Sequence, residues 1–188
     1  MIPNFKILSK ESISQKFIEN GINEFSQACD FVMNLPIGKN SSRIEFEKIF
    51  EELKGTCSTK HGLLAVLALE NNHPEIELMF GIYLMSEETH PQFSDFLSQN
   101  SLTNLPETHC FLRYNGKRYD FSSVTPLLEK IESKIVREQR IDPPQVGEWK
   151  EVIHKDYLTR WLKRKPEIGL SMEEIWVRRE ENYCTITS

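Results

Sequence analysis

Apolar residues recur at helical spacing through the first third of the chain. Between positions 10 and 35 they fall three or four residues apart in two successive groups. The positions are Ile13, Phe17 and Ile18, then Ile22, Phe25, Cys29 and Val32. This spacing predicts a helical N-terminal part, residues 10–35, that ends where Leu35-Pro36 breaks the pattern. A further helix is predicted along residues 44–53, capped by the Asn-Ser-Ser of residues 40–42 and ended by Gly55.

The middle of the chain contains the most continuous apolar segments. Residues 62–69 come soon after Cys57 and predict a buried helix that ends near residues 71–72, with Gly62 marking close approach to another backbone. Residues 76–84 are rich in apolar, aromatic and β-branched side chains, which predicts a buried strand at the centre of a sheet. The polar segment 86–106 predicts a surface excursion and a candidate lid, with at most one short helix around residues 93–97.

Two β-prone runs, residues 109–114 and 117–121, flank the dipeptide Asn115-Gly116. Asn-Gly in this setting is a strong signal for a β-hairpin with a two-residue loop. The loop would set a register that pairs Tyr114 with Lys117, Arg113 with Arg118, Leu112 with Tyr119, and Phe111 with Asp120.

This register predicts that His109, Phe111 and Asp120 share one face, because paired residues and alternate residues along a strand lie on the same side. His109 and Asp120 are then diagonal neighbours with Cβ atoms about 7 to 8 Å apart or somewhat less. One hydrogen bond between an imidazole and a carboxylate can close that gap. The opposite face is apolar and is expected to meet the core; it consists of Cys110, Leu112, Tyr119 and Phe121.

The extension formed by residues 124–188 predicts mixed structure. A short helix and a strand around residues 135–141 lead to two amphipathic helices, the second capped by Ser171 with Glu174 three residues later. Tryptophans on such helices are expected to be packing anchors rather than the lining of a groove. They are Trp149, Trp161 and Trp176.

Composition limits the class of protein. The 188 residues with 39% hydrophobic content suit one well-buried domain covering residues 1–188. A formal charge of −5, with 23 basic and 28 acidic residues mixed along the chain, provides no basic stripe, so we expect no nucleic-acid partner. The N-terminus lacks an apolar segment of signal-peptide length, and no apolar run reaches about 18 residues. A cytoplasmic protein without membrane contact is therefore predicted.

Cys57 lies where a loop turns into the predicted buried helix. Unpaired amides at a helix N-terminus carry about half a positive charge, which favours a thiolate. With His109 as base and Asp120 as orienting acid, the chain contains the parts of a Cys-His-Asp triad. His61, one helical turn from Cys57, is the main competitor as base but has no evident carboxylate partner. Lys60 could favour the thiolate, although we expect a solvated charge.

The other cysteines and histidines are expected to have less reactive roles. Disulfides are not expected, because no paired short spacing links Cys29, Cys57, Cys110 and Cys184. A zinc site would have to combine Cys57, His61, His109 and Cys110. Adjacent strand residues point to opposite faces, which disfavours that site. The bystanders are expected to be His73, His154 and His90, of which His90 in the candidate lid could touch substrate.

These segments resemble the core of the transglutaminase-like superfamily. The matching motifs are Gly-Thr-Cys at residues 55–57, Phe-Gly-Ile-Tyr-Leu at 80–84, Thr-His-Cys-Phe-Leu at 108–112 and Tyr-Asp at 119–120, within about residues 43–123. The resemblance implies a papain-like α+β fold, in which the nucleophile helix packs on an antiparallel β-sheet and additional helices lie at both ends. It also implies a nucleophile, base and orienting acid at Cys57, His109 and Asp120. Members often have a tryptophan soon after the histidine and a proline after the aspartate; here Cys110-Phe111 and Phe121 stand instead.

The favoured hypothesis is a cysteine enzyme that attacks the amide or related acyl bond of a peptide, protein or small amide and forms a thioester. No cofactor or metal is expected. The acyl acceptor is either water, giving hydrolysis or deamidation, or an amine, giving transfer. The oxyanion is expected to bind the Cys57 N–H and a second donor that the sequence does not identify. The alternative function is a non-catalytic module that binds a peptide or protein on the same fold.

Overall fold

The computed structural model describes residues 1–186, with side chains described to residue 182. Within this part the chain forms eight α-helices and four β-strands. In chain order they are α1 (Ser12–Glu19), α2 (Phe25–Asn34), α3 (Lys48–Glu52), α4 (Cys57–Glu70), β1 (Glu77–Met85), α5 (Ser94–Gln99), β2 (Leu105–Tyr114), β3 (Lys117–Tyr119), α6 (Leu128–Ile131), β4 (Ile135–Arg140), α7 (Glu148–Leu162) and α8 (Met172–Ile186). No helix in the described part is both long and apolar enough to cross a lipid bilayer.

The four strands form one antiparallel sheet in the order β3-β2-β1-β4. The fold is therefore α+β, as the sequence predicts. The long strands β1 and β2 occupy the centre, where Gly81 lies opposite His109. The apolar run that predicted a central strand and the segment that predicted a strand at residues 135–141 are both found in the sheet, as β1 and β4.

The sheet is buried on both faces, because consecutive residues of β1 and β2 are buried and consecutive strand residues point to opposite faces. One face contacts helix α4 in a hydrophobic cluster that includes Phe80, Cys110 and Leu63. The other face belongs to a second cluster, in which Phe111 joins Leu158 of α7. The prediction that Cys110 and Leu112 meet the core is confirmed.

The hairpin forms with the predicted register. Asn115 and Gly116 both adopt positive φ angles, 47° and 73°, as a tight Asn-Gly loop between β-strands requires. Pairing stops at Tyr119, so the expected pair of Phe111 and Asp120 does not form. The chain leaves the sheet there because the Asp120 carboxylate accepts hydrogen bonds from backbone amides farther along the chain, at residues 122 and 128.

Three local predictions are wrong. Only residues 48–52 of the segment 44–53 form a helix, which ends at Leu53 with φ of 49° rather than at Gly55. The neighbour of Gly62 is the ring of Phe46, not another backbone. The segment 86–106 is not a loose surface excursion, because its apolar side chains fill the second cluster; they are Phe93, Phe96, Leu97, Leu102 and Leu105.

The C-terminal extension is part of the same packing. Ser171 and Glu174 cap α8 reciprocally, as predicted, through hydrogen bonds between each side chain and the other residue's backbone N–H. The tryptophans pack as predicted: Trp149 against the first cluster, and Trp161 and Trp176 in or against the second. Trp176 also lines the cavity that opens on Cys57 and His109.

Candidate active site

A capping box fixes the start of α4 at Cys57. The Thr56 hydroxyl accepts a hydrogen bond from the Thr59 N–H at 3.2 Å, and the Thr59 hydroxyl accepts one from the Thr56 N–H at 2.9 Å. The amide groups of Cys57 and Ser58 belong to the first turn, where no intrahelical carbonyl can accept their hydrogen bonds. The cysteine thus lies at the positive end of a fully formed helix.

The shortness of β3 leaves room for this helix end. Strand β3 covers only residues 112–114 of β2, so the edge of β2 is open at His109 and Cys110. The start of α4 lies at this edge, and the backbone of Cys110 contributes to lowering the pKa of the Cys57 thiol. A longer hairpin would occupy the position of Cys57.

His109 and Asp120 are joined by a short hydrogen bond. The Nε2–H of His109 donates to Oδ2 of Asp120 at 2.9 Å, and both side chains are almost fully buried. The carboxylate also accepts the backbone N–H groups of Ser122 at 2.9 Å and Leu128 at 3.0 Å. The ring is therefore held in one orientation, with Nδ1 as the nitrogen that remains for Cys57. The diagonal contact expected from the hairpin register is formed.

The charged side chains around Cys57 favour an ion pair between its thiolate and the His109 imidazolium. Burial alone would raise the pKa of the Cys57 thiol, but the adjacent His109 and the ammonium of Lys150 lower it to about 6. Burial would lower the pKa of His109, whereas the Cys57 thiolate and Asp120 raise it to about 10. The pKa of Asp120 stays well below its usual range despite burial, because His109 donates to it. Both shifts favour the charged forms, a Cys57 thiolate beside a His109 imidazolium.

His61 does not occupy the position of a base. Its Nε2 accepts the backbone N–H of Phe121 at 2.8 Å, so its Nδ1 carries the proton and donates to the carbonyl oxygen of Cys57 at 2.8 Å. Burial lowers the pKa of His61 to about 4, which keeps the ring neutral at pH 7. The ring supports the backbone on both sides of the site instead.

The prediction of a solvated Lys60 is wrong. Its side chain is 0% exposed, and its ammonium donates to the carbonyl oxygens of Leu35 at 2.6 Å and Ser122 at 2.7 Å. Burial lowers its pKa to about 8. A signal was available in the sequence, because a helix that is apolar on all sides is a buried one.

A cavity of about 570 Å³ opens on Cys57 and His109. Its walls come from residues 37–43, residues 89–92 and helices α7 and α8. His90 lines it, and its Nε2 is hydrogen-bonded to the Tyr83 hydroxyl at 3.1 Å. Lys60 and His61 do not line the cavity; they lie behind the site.

Several cavity residues carry no signal in the sequence pattern. The buried Glu107 accepts two hydrogen bonds from the guanidinium of Arg179, at 2.6 and 2.7 Å, which ties α8 to β2. His154 was expected on a polar helix surface, but it is buried and donates to the Pro106 carbonyl at 2.9 Å. Lys150 approaches the nucleophile from α7. These contacts join residues far apart in the chain, which no local pattern predicts.

The cysteines differ in environment. Burial raises the pKa values of Cys29 and Cys110, the latter to about 11, whereas that of Cys57 is lowered. All three thiols are free, and the Cys184 side chain lies outside the described residues. Across residues 1–182, no cluster of three or more His, Cys, Asp or Glu side chains is arranged to hold a metal ion. Both ring nitrogens of His61 already have partners, so the zinc set expected as an alternative is not assembled.

Comparison with known proteins identifies no relative: no family model, curated protein or solved structure matches this chain. No residue role can therefore be transferred from another protein.

Proposed function

We propose that this protein is a cysteine-dependent enzyme that cleaves or transfers an acyl group from an amide or related bond. The observation that carries the proposal is the position of His109, which lines the same cavity as Cys57 and donates its Nε2–H to Asp120 at 2.9 Å. This order of thiol, imidazole and carboxylate is what nucleophilic acyl transfer requires. A helix start packed at the edge of an antiparallel sheet also supports the resemblance to the transglutaminase-like, papain-like arrangement.

In the first step the Cys57 thiolate attacks the substrate carbonyl carbon, and the carbonyl π electrons move to oxygen. The backbone N–H of Cys57, which has no intrahelical acceptor, is a donor for this oxyanion. When the oxyanion collapses, the C–N bond breaks and the leaving amine takes the proton from His109. The product is a thioester on Cys57 and a neutral His109.

In the second step His109 removes a proton from the acceptor, either water or an amine. The acceptor attacks the thioester carbonyl, and the tetrahedral adduct expels the Cys57 thiolate. The imidazolium that remains is again paired with the thiolate and with Asp120, so the starting charges are restored. Asp120 holds the ring orientation through both steps without exchanging a proton.

Acyl transfer to Cys57 can be tested without knowledge of the natural substrate. The protein is incubated with p-nitrophenyl acetate, and the acetylated peptide is identified by mass spectrometry and treated with hydroxylamine. We expect a hydroxylamine-sensitive adduct on Cys57, slower formation in H109A, and none at this position in C57A. The buried Cys29 and Cys110 are internal controls in the same sample.

The alternative function, a non-catalytic module that binds a peptide or protein, gives the opposite result. In that case Cys57 is acetylated no faster in the folded protein than in the denatured protein. The H109A substitution then leaves the rate of acetylation unchanged. Such an outcome would refute the enzyme proposal, because both steps require His109 to change the protonation state of the nucleophile or its leaving group.

A further inference from the structure

The cavity has an excess of positive charge, although the chain as a whole carries −5. Its lining includes five basic side chains, Lys39, Arg43, Lys130, Lys150 and Arg179, and three acidic ones, Glu107, Glu151 and Glu180. Each carboxylate is already in an ion pair: Glu107 with Arg179, Glu151 with Arg43 and Lys155, and Glu180 with Lys39 and Arg179. Within residues 1–182, Lys130 and Lys150 have no carboxylate at ion-pair distance.

Of these two cations, Lys150 is the one beside the nucleophile. Its Nζ donates to the Ser58 hydroxyl at 2.6 Å, and that hydroxyl oxygen lies 3.8 Å from the Cys57 sulfur. Ser58 is only 4% exposed, whereas Lys150 is half-buried and lines the cavity. An ammonium group has three N–H donors, so two remain after the contact with Ser58.

The neutral Ser58 hydroxyl does not compensate this ammonium group, and the nearby Cys57 thiolate is already paired with the His109 imidazolium. Partly removed from water and without a carboxylate partner, a cation attracts an anionic ligand more strongly than it would in bulk solvent. The other cations of the same wall, Lys39, Arg43 and Arg179, are neutralised by their own carboxylates. An anion that enters the cavity therefore meets one uncompensated charge close to the point of attack.

We propose that the acyl substrate carries an anionic group near its scissile carbonyl, and that Lys150 binds this group. The inference rests on the proposed function and names its substrate class: acyl compounds with a carboxylate or phosphate close to the bond that Cys57 attacks. Lys150 is then a substrate-binding residue because, of the two cavity cations without a carboxylate partner, it is the one that lies beside Cys57.

Two alkylating agents of nearly equal size test the proposal, because iodoacetate is anionic and iodoacetamide is neutral. The measured quantity is the ratio of their alkylation rates at Cys57, which cancels any change in the thiolate fraction. We expect K150Q to lower the ratio of iodoacetate to iodoacetamide about fivefold or more, and K150R to retain it. K163Q, which removes an exposed lysine just beyond the end of the same helix, is the matched control and should leave it unchanged.

A second measurement uses the unaltered protein and does not depend on the folding of a variant. Succinate, inorganic phosphate or neutral succinamide is added at equal concentration and ionic strength during alkylation by iodoacetamide. We expect one or both anions to slow the reaction and succinamide to have no effect. Greater protection by succinate assigns a carboxylate substrate, and greater protection by phosphate assigns a phosphorylated one.

The outcomes separate this inference from the proposed function. If Cys57 is acetylated in a His109-dependent manner but neither anion protects it, and K150Q leaves the rate ratio unchanged, the anionic substrate is refuted while the enzyme stands. If Cys57 shows no His109-dependent acylation, the proposed function fails, and the substrate assignment fails with it.

Discussion

The Nε2 atom of His61 accepts a hydrogen bond from the backbone N–H of Phe121 at 2.8 Å. Through its other nitrogen the same ring donates to the carbonyl of Cys57 at 2.8 Å. One side chain thus links the residue that carries the thiol to the residue that follows Asp120. The distance between Cys57 and Asp120 is set by this bridge as well as by the sheet.

Replacement of His61 by phenylalanine should destabilise the protein. The aromatic ring is kept, but the Cys57 carbonyl and the Phe121 N–H lose their partner, and an unsatisfied buried polar group costs about 1 to 3 kcal/mol. We expect a lower urea midpoint and slower alkylation of Cys57. H73F is the matched control, because His73 stacks on Phe5 near the surface and lies outside the site. An equal loss in both variants would contradict the bridging role.

The neutral state of His61 also predicts a pH dependence of stability. Its pKa is about 4 in the folded protein and about 6.5 when unfolded, so its contribution is complete above pH 6.5 and is lost as the pH falls towards 4. Between these pH values the free energy of unfolding should fall by up to about 3 kcal/mol more in the wild type than in H61F. Urea titrations of both proteins at pH 7, 5.5 and 4 measure the difference in their free energies of unfolding. The contributions of titratable groups that both proteins contain cancel in this difference. Parallel pH curves would show that His61 is not buried as a neutral ring.

Substitution of His109 by glutamine should move the titration of Cys57. The thiol has a pKa of about 6 beside His109, and an ordinary one of about 8.5 without it. At pH 6 the thiolate fraction would fall from about half to below about 1%, partly offset by the greater nucleophilicity of a more basic thiolate. The net expectation is a roughly tenfold slower alkylation by iodoacetamide at pH 6. A midpoint that stays near pH 6 in H109Q would mean that Lys150, rather than His109, is the main group that lowers the pKa of Cys57.

The hairpin could be predicted from the sequence because its register is a local property. The Asn-Gly loop fixes which residues face each other, and a two-residue loop leaves no freedom to shift them. His109 and Asp120 are only eleven positions apart and meet across that register. The predicted pair of Phe111 and Asp120, one residue beyond the last pair that forms, is absent. There the Asp120 carboxylate accepts hydrogen bonds from backbone amides outside the sheet.

Residues brought to the site by packing could not be predicted in the same way. Lys150 and Ser58 are separated by 92 positions, and Arg179 and Glu107 by 72. Their meeting depends on how α7 and α8 lie against the sheet, which no local spacing encodes. Lys60 is a different case, because the sequence does predict that its helix is buried. The two carbonyl oxygens that accept hydrogen bonds from its ammonium group, however, come from segments distant in the chain, which no local pattern predicts.

Lys60 is expected to contribute to stability through these two carbonyls. Methionine at this position would fill a similar volume. It would leave the carbonyl oxygens of Leu35 and Ser122 without a hydrogen-bond donor in a buried site. We expect K60M to lower the free energy of unfolding by about 2 kcal/mol, measured by urea titration at pH 7. K10M, which changes an exposed lysine, should have little effect. A K60M protein as stable as the wild type would show that the cost of burying the charge offsets both hydrogen bonds.

We expect the G62A substitution to lower the free energy of unfolding, although a glycine-to-alanine change in a helix usually raises it. In an open helix the substitution stabilises by about 1 kcal/mol. At Gly62, however, a Cβ atom would lie 2.4 Å from Cε1 and 2.7 Å from Cζ of the buried Phe46 ring, so the ring or the helix must shift. We expect a loss of about 1 to 3 kcal/mol.

The smaller side chain of F46L should relieve this clash. In a double-mutant cycle, the G62A change should therefore cost less in the F46L background than in the wild type, with a coupling energy that urea titrations of the four proteins measure. Additive effects would place the cost of G62A elsewhere in the helix. A stabilised G62A single variant would mean that Phe46 moves freely, and that the start of α4, where Cys57 lies, is less tightly packed than the contact distances indicate.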